Sequence, residues 1–331
     1  MTRAARLVVM MVRPPIALVL LLFAALGLAS AGTGAADGFH PLFTTVLVIV
    51  GGWFVNATVL NDLADEDIDR VNLSNARGRP LVSGHATRGE LLNLGVGAGL
   101  LALVVGTAVD WRVGAVVAAG LALNAAYSLP PVRLCARGAL ASMLLPMGYV
   151  AVPFLVGALS VGSALGGRQL ALLTGLYVAF IGRILLKDFR DVRGDELYGK
   201  RTFLLRHGRT ATCRASAACW ALGTVALLAI VPMRSMLVVA FVLYLGCALH
   251  GLRRLAQATD HVEEQVTIVA IAQVGRGMCI TLLAHLTMVA KDWTPGLQAA
   301  AVLVLTALFA TAYATTMAQR HRVPAALIRP Y

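Results

Sequence analysis

The stretch PLFTTVLVIVGGWFVNATVLNDLADEDID, residues 41–69, decides the fold. Its first twenty residues are predominantly apolar, about the length a helix needs to cross roughly 30 Å of hydrocarbon. A run of carboxylates follows directly, and a second apolar segment at 169–187 ends in the same way, in KDFRDVRGD at 187–195. A carboxylate near a bilayer is costly unless it is paired, hydrated or bound to a metal. The two runs therefore predict a specific polar site at the ends of two membrane spans.

Apolar segments recur along almost the whole chain of 331 residues. Hydrophobic residues make up 59% of it and charged residues only 13%, and the mean hydropathy of +0.79 excludes an ordinary soluble domain. A transmembrane β-barrel would need short alternating segments instead. We predict an all-α fold, a polytopic bundle of nine or ten transmembrane helices that forms a single membrane domain over residues 1–331. The ten candidate spans are 14–32, 41–61, 91–109, 113–129, 138–160, 169–187, 215–232, 235–252, 266–290 and 296–317.

The distribution of charge predicts the topology. With the N-terminus in the cytoplasm, 23 of the 28 basic residues fall in cytoplasmic segments, four fall on the opposite side, and Arg276 lies within a span. This positive-inside pattern places both acidic runs, in loops at about 62–90 and 188–214, on the cytoplasmic side. The net charge of +12 then indicates anionic lipid or an anionic substrate rather than nucleic acid. We predict an integral, multi-pass protein of the plasma membrane with its active site facing the cytoplasm.

The acidic residues recur at the spacing of one helix face. Asp62, Asp65 and Asp69 stand at i, i+3 and i+7, and Asn61 lies one turn before Asp65. Like charges stacked in this way repel each other, and a divalent cation removes that penalty. Oxygen ligands favour Mg²⁺, which takes one or two carboxylates together with water and phosphate oxygens. Two such clusters could hold two or more Mg²⁺ ions around a diphosphate. The same spacing recurs in the second run at Asp188, Asp191 and Asp195.

Basic side chains accompany the acids. Lys187 lies one turn after Arg183 at the inner end of a span, where a buried cation needs an anionic partner. Glu66 and Asp67 point off the acidic face, and we expect them to pair with nearby arginines. Four other basic residues follow the acidic runs and could equally be topology anchors: Arg77, Arg79, Lys200 and Arg201.

A third polar element follows the fourth span, in the sequence YSLPPVRL at residues 127–134. Two prolines end the helix there. Tyr127, Ser128 and Arg133 would then offer hydrogen-bond donors at the mouth of the bundle. The pattern is also typical of an ordinary interfacial tyrosine and a cytoplasmic arginine, so alone it decides nothing.

Four motifs follow one another along the chain: Arg13-Pro14, N-D-x-x-D-x-x-x-D at 61–69, Y-S-x-P-P-x-R at 127–133, and D-x-R-D-x-x-x-D at 188–195 with G-K-R-T at 199–202. In this order they resemble the UbiA superfamily of intramembrane prenyltransferases, over most of the chain. The resemblance implies a helical bundle around a central cavity that opens sideways to lipid. It also implies that both acidic motifs bind Mg²⁺ and the diphosphate of an isoprenoid donor. The family usually has nine spans, one fewer than the ten candidates.

Transferred position by position, the resemblance implies a role for individual residues. It implies that Asp65, Asp69, Asp191 and Asp195 are catalytic. The implied diphosphate or substrate contacts are Arg13, Asn61, Tyr127, Arg133, Lys187 and Lys200. The implied metal ligands are Asn61, Asp65, Asp69, Asp191 and Asp195, with Asp62 and Asp188 beside them.

The implied reaction is Mg²⁺-dependent transfer of an isoprenyl group from an allylic polyprenyl diphosphate to an acceptor, most often an aromatic ring in this family. Two other enzymatic activities stay open. One is a terpene cyclase of the UbiA type, which acts on the isoprenyl diphosphate alone, and the other is phosphoribosyl-type transfer to a polyprenyl phosphate. A transporter is the weakest alternative, because transporters place ionisable residues near the bilayer midplane. The sequence leaves open the acceptor, the isoprenoid length and the oligomeric state.

Overall fold

A computed structural model describes residues 3–32, 39–72, 79–162, 164–231 and 235–319. Within these residues the chain is helical and has no β-strand, which confirms the all-α prediction. Two π-helical segments, Leu47–Phe54 and Met147–Ala151, each join the α-helices on either side of them. The helices are α1 (Arg3–Val12), α2 (Pro14–Ser30), α3 (Phe39–Val46), α4 (Val55–Ala64), α5 (Glu66–Asn72), α6 (Arg88–Val109), α7 (Trp111–Ser128), α8 (Ala139–Pro146), α9 (Val152–Leu159), α10 (Gly167–Ile184), α11 (Asp188–Leu197), α12 (Phe203–Leu228), α13 (Met236–Gln257), α14 (His261–Ala290) and α15 (Pro295–Ala318).

The number of membrane spans is close to the predicted one. Among the described residues, eight continuous helical segments are long and apolar enough to cross a membrane. Two of them, His40–Ala64 and Ala139–Leu159, run through the π-helical segments. The bent pair α1 and α2 brings the number to nine. The predicted span 113–129 coincides with α7, an 18-residue helix outside this group that carries Arg112 and Asn124. The protein is therefore an integral, multi-pass membrane protein. The predicted loop 188–214 is largely helical instead, because α11 occupies its first part and α12 begins at Phe203.

Contacts divide the described chain into two compact units, and the prediction of a single domain stays a prediction. Unit 1 comprises the described residues of Met1–Ala164 and Asp191–Thr202, and unit 2 those of Leu165–Arg190 and Phe203–Arg329.

In unit 1, tight helix packing fixes the N-terminal helices. A Cβ atom added to Gly27 of α2 would lie 2.0 Å from Phe154 O of α9, and one added to Gly157 would lie 2.0 Å from Ala24 O. Only glycine lets the two backbones approach so closely, as is common between membrane helices. α1 is held in turn by α4, because the Thr58 hydroxyl donates to Met11 O at 3.1 Å.

In unit 2, polar contacts join the last three helices within their apolar surroundings. The hydroxyls of Tyr244 and Thr281 lie 2.9 Å apart and link α13 to α14. His250 Nδ1 lies 2.7 Å from the Tyr313 hydroxyl and links α13 to α15. Arg276 is exposed on α14.

Candidate active site

The first acidic motif lies across a break between two helices. α4 and α5 meet at Asp65, whose backbone is non-helical at φ −108° and ψ 17°. Helical hydrogen bonding continues across the break, because the Asp65 N–H donates to Asn61 O at 2.9 Å and the Asp69 N–H donates to Asp65 O at 2.8 Å. The expectation of one continuous helical face is therefore wrong at Asp65. The spacing still buries the acids, since Asp62 is 2% exposed and Asp65 and Asp69 are each 7% exposed.

Arg13 reaches the motif from the bend between α1 and α2. Pro14 follows it directly and disfavours a helical backbone at Arg13, while fitting the first turn of α2. The chain bends by 66° between the two helices. Arg13 has a left-handed backbone, with φ 43° and ψ 74°, and its Nη2 lies 2.5 Å from Asp62 Oδ1. The Arg-Pro pair thus shapes the bend that brings a cation to a buried acid.

Arg79 bridges two acids of the motif. Its Nη1 lies 3.1 Å from Asp69 Oδ2 and also contacts Asp62 Oδ1. Asp62 Oδ1 thus accepts from two guanidinium groups, whereas Asp62 Oδ2 is buried and has no hydrogen-bond partner within the described ranges. From the sequence alone, Arg79 could equally be a topology anchor, and it is not among the implied site residues. The sequence signal for this role of Arg79 is its position in the loop that begins with the acidic motif.

Asp65 joins residues that are far apart in the sequence. Arg133 Nη2 donates to Asp65 Oδ1 at 2.9 Å, and Lys200 Nζ donates to Asp65 Oδ2 at 3.2 Å. The Asn61 amide donates to the same Oδ2 at 3.1 Å. Lys200 Nζ also lies 3.6 Å from Asp195 Oδ1. Lys200 therefore links the first acidic motif to the second, and three of the expected diphosphate contacts meet at one carboxylate.

Two site arginines have backbones that only glycine adopts readily. Arg13 and Arg133 have φ values of 43° and 38°, and Asp292 is the third non-glycine residue with a positive φ in the described part of the chain. A left-handed backbone costs a side-chain-bearing residue about 1–2 kcal/mol. Strain of this kind persists where the surrounding structure determines the conformation, and it clusters at functional sites.

The second acidic motif forms α11. Positions 188, 191 and 195 all lie in this helix and keep the predicted spacing. Asp195 is 5% exposed. Lys187 and Asp188 belong to unit 2, and the side chain of Asp191 lies outside the described residues. Tyr127 lies half-buried in the last turn of α7. The roles of these four residues, like those of the other implied site residues, stay predictions.

Burial and neighbouring charges shift the pKa values of two acids in opposite directions. Burial raises the pKa of Asp69 to about 6, and the carboxylates of Asp62 and Asp65 add to this effect, while Arg79 and Arg13 oppose it. Burial also acts to raise the pKa of Asp65, but Lys200 and Arg133 outweigh it and hold that pKa below its usual value. The ionised form is therefore well compensated at Asp65 and poorly compensated at Asp69.

Cys135 is a neighbour of the site that sequence reasoning did not single out. Its thiol hydrogen-bonds Arg133 and lies within electrostatic range of Asp65 and Lys200. Burial, reinforced by Asp65, raises the pKa of this thiol. A thiol with a raised pKa is a poor nucleophile at neutral pH. Cys135 therefore packs at the site in its neutral form.

The donor set of the site fits a magnesium ion. Within the described residues, which exclude the side chain of Asp191, no three His, Cys, Asp or Glu side chains lie close enough to hold one metal ion. Arginine and lysine groups contact Asp62, Asp65 and Asp69. Mg²⁺ itself needs only one or two protein carboxylates and takes its other ligands from water and phosphate. A bound cation would give the unpartnered Asp62 Oδ2 a partner and would offset the burial that raises the pKa of Asp69.

Comparison with known proteins identifies the family. The model of the UbiA prenyltransferase family matches residues 18–268, and the chain belongs to that family. It resembles the 33 kDa chain of bacteriochlorophyll synthase from Rhodobacter capsulatus, with 28% identity over 57% of this chain and 64% of that protein. It also resembles digeranylgeranylglyceryl phosphate synthase from Methanothermobacter thermautotrophicus, with 29% identity over 53% of this chain and 58% of that protein. The chain thus spans less than two thirds of the length of these curated relatives.

The fold has solved counterparts. A UbiA homolog from Archaeoglobus fulgidus, determined with DMAPP and Mg²⁺ bound, superposes with a TM-score of 0.60 over 94% of this chain and 99% of that one. The sequences are 15% identical, so the likeness concerns the fold. It confirms the helical architecture that the motifs implied.

Proposed function

We propose that the protein is a Mg²⁺-dependent intramembrane prenyltransferase. It transfers an isoprenyl group from an allylic polyprenyl diphosphate to a lipophilic acceptor, which we take to be aromatic. The observation that carries the proposal is the meeting of Asp65 with Arg133, Lys200 and, through Lys200, Asp195. Family membership and the relatives named above support it. The active site faces the cytoplasm in the topology that the basic residues indicate.

The cations of the site are suited to hold the leaving group. Arg13, Arg79, Arg133 and Lys200 provide donors that match phosphate oxygens. Each contacts an acid in unit 1, so each can shift from a carboxylate to a diphosphate oxygen without leaving the site. Preorganised positive charge of this kind stabilises the negative charge that develops as the bond breaks.

The acids are suited to hold the metal. Asn61, Asp65 and Asp69 of the first motif and Asp191 and Asp195 of the second would bind Mg²⁺. In the sequence, Asp62 follows Asn61 directly and Asp188 precedes Asp191 by three residues. The ion would supply charge stabilisation on the diphosphate as a Lewis acid.

The reaction then proceeds by dissociation and capture. The allylic carbon–oxygen bond breaks, its electron pair leaves with the diphosphate, and the allylic cation forms. The apolar helices shield this cation from water. An electron-rich acceptor atom attacks it, and the proton that the acceptor releases passes to the diphosphate or to a nearby carboxylate.

A product screen tests the proposal. The purified protein is incubated with Mg²⁺, isoprenyl diphosphates of several lengths and a panel of aromatic acceptors, and products are weighed by mass spectrometry. We expect an acceptor whose mass has risen by one isoprenyl group. A hydrocarbon formed from the diphosphate alone would identify a cyclase instead. A parallel incubation supplies phosphoribosyl diphosphate and a polyprenyl phosphate, and a sugar phosphate group attached to the polyprenyl phosphate there would identify the phosphoribosyl-type reaction. Either result would overturn the proposal.

A further inference from the structure

Unit 1 contains a cavity of 470 Å³ between the end of α4, the start of α6 and the turn after α7. Most of its wall is apolar, and Gly89, which has no side chain, forms part of that wall. Two arginines, Arg88 and Arg133, also line it, and within the described chain no acidic residue does. The apolar side of the wall is formed by Leu60, Leu63, Leu92, Leu129 and Pro130.

The charge next to this cavity is in positive excess. Arg88 Nη1 lies 2.6 Å from Glu66 Oε2, but Glu66 also pairs with Arg70 at 2.8 Å. Arg133 likewise shares Asp65 with Lys200. Each of the two acids is divided between two cations, so the arginines at the cavity keep positive charge for a further anion. Arg133 Nε is buried without a hydrogen-bond partner in the described part of the chain.

The cavity lies where a membrane span begins. The apolar segment of α6 starts at Arg88, so the cavity is at the level expected for lipid headgroups. From the cavity, α6 exposes four large apolar side chains at intervals of four residues, which places them along one side of the helix. They are Leu92, Val96, Leu100 and Val104, each 48% to 66% exposed.

We propose that this cavity binds the headgroup of an anionic phospholipid, with the lipid phosphate between Arg88 and Arg133 and one acyl chain along the exposed face of α6. A guanidinium group has five N–H donors, so Arg133 can hold Asp65 and a lipid phosphate together. Positive charge at a membrane surface attracts anionic lipid, and the apolar wall suits the glycerol and upper acyl carbons. The inference concerns lipid binding and does not depend on the activity proposed above.

Native mass spectrometry of the purified full chain tests the proposal. The protein in detergent is mixed with phosphatidylglycerol or with phosphatidylcholine, and retained lipid is counted. We expect one phosphatidylglycerol to be retained at concentrations where phosphatidylcholine is not. Arg88→Gln should weaken this retention about tenfold, because a charge-assisted contact is lost. Arg112→Gln is the matched control, since Arg112 pairs with Asp110 at 2.7 Å in the same unit but does not line the cavity. It should leave lipid retention unchanged.

A second variant separates filling of the cavity from loss of charge. A Cβ atom added to Gly89 meets nothing within 4 Å, so Gly89→Leu should place its side chain in the cavity and displace the lipid while the protein folds. Gly246→Leu, at an equally open position on α13, should leave retention unchanged. Millimolar inorganic phosphate should not displace the lipid, because it lacks the acyl chain.

Three results would overturn the proposal. The first is equal retention of the two lipids, and the second is retention that neither Arg88→Gln nor Gly89→Leu reduces. The third is a raised KM for an acidic acceptor in Arg88→Gln with lipid retention unchanged, which would make the cavity a substrate site instead.

Discussion

Two clusters of buried acids lie at helix ends in this protein, and their cations are arranged differently. In unit 2, Glu263 and Glu264 at the start of α14 each pair with a different arginine: Arg254 Nη2 lies 3.2 Å from Glu263 Oε1, and Arg209 contacts Glu264. Asp260 caps the helix by accepting from the Glu263 N–H at 2.8 Å. This cluster is typical of a structural ion-pair network.

The cluster in unit 1 shares its cations instead. Arg79 serves both Asp62 and Asp69, and Lys200 serves both Asp65 and Asp195. The raised pKa of Asp69 shows that compensation is incomplete there. The comparison teaches that pairing one acid with one cation stabilises a fold, whereas shared cations leave acids ready to exchange their partners for a ligand. Natural proteins depart from complete pairing chiefly at functional sites.

The largest difference in turnover between the two clusters is expected when an acid of the candidate site is removed. Asp65→Ala and Asp191→Ala should each lower turnover at least about 100-fold, because the charge stabilisation of the leaving diphosphate is lost. Both variants should still insert and fold. Product formation per folded molecule measures the effect, and near-normal activity of both variants with added Mg²⁺ would show the metal-site assignment to be wrong.

The counterpart in unit 2 should behave in the opposite way. Glu264→Gln leaves the guanidinium of Arg209 without its charged partner, so the thermal midpoint should fall. Turnover per folded molecule should stay within about threefold of the wild type. A loss of turnover comparable with that of Asp65→Ala would remove the distinction between the two clusters.

The next largest effect concerns Arg79, which bridges two acids. Arg79→Ala should lower kcat/KM for the isoprenyl diphosphate by about 10- to 100-fold, because one charge-assisted contact is worth roughly 1.5–3 kcal/mol. Arg70→Ala removes an exposed arginine that pairs with Glu66 and provides the control. Equal kinetics for the two variants would mean that Arg79 is only a topology anchor.

Much of this site could be predicted from the sequence, and the limits have physical causes. The spacing of Asp62, Asp65 and Asp69 predicted that they share one helical face, because spacing follows from local helix geometry. The burial of all three side chains depends on the packing around them and was not predicted. The spacing of the acids did not predict the break at Asp65, where the backbone hydrogen bonds continue as in a helix. The bridging role of Arg79 could not be predicted either, because it depends on the path of the chain after the acidic motif.

A smaller effect should distinguish strained from unstrained arginines. At Arg133, with φ 38°, the glycine variant should be more stable than the alanine variant by about 1 kcal/mol, because alanine keeps the left-handed strain. Within α13 the order should reverse, and Arg254→Ala should be more stable than Arg254→Gly by up to about 1 kcal/mol. Thermal unfolding of the four variants measures this. The same order at both sites would contradict the assignment of strain to Arg133.

The smallest effect is expected at Cys135. Cys135→Ser should change turnover by less than about threefold, because the thiol packs at the site without binding substrate. A negatively charged thiol reagent should inhibit the wild type slowly, since the pKa of the thiol is raised, and should not inhibit Cys135→Ser. Rapid inhibition of the wild type at neutral pH would mean that the thiol is exposed and ionised.

The most direct test of the central claim is metal binding without turnover. Mn²⁺ can replace Mg²⁺ as a spectroscopic probe, and its binding is counted by electron paramagnetic resonance in the presence of an unreactive thiolodiphosphate analogue of the donor. We predict that the wild type and Glu264→Gln bind at least one Mn²⁺ with the analogue and that Asp65→Ala loses it. Undiminished Mn²⁺ binding by Asp65→Ala, or its loss in Glu264→Gln, would contradict the account.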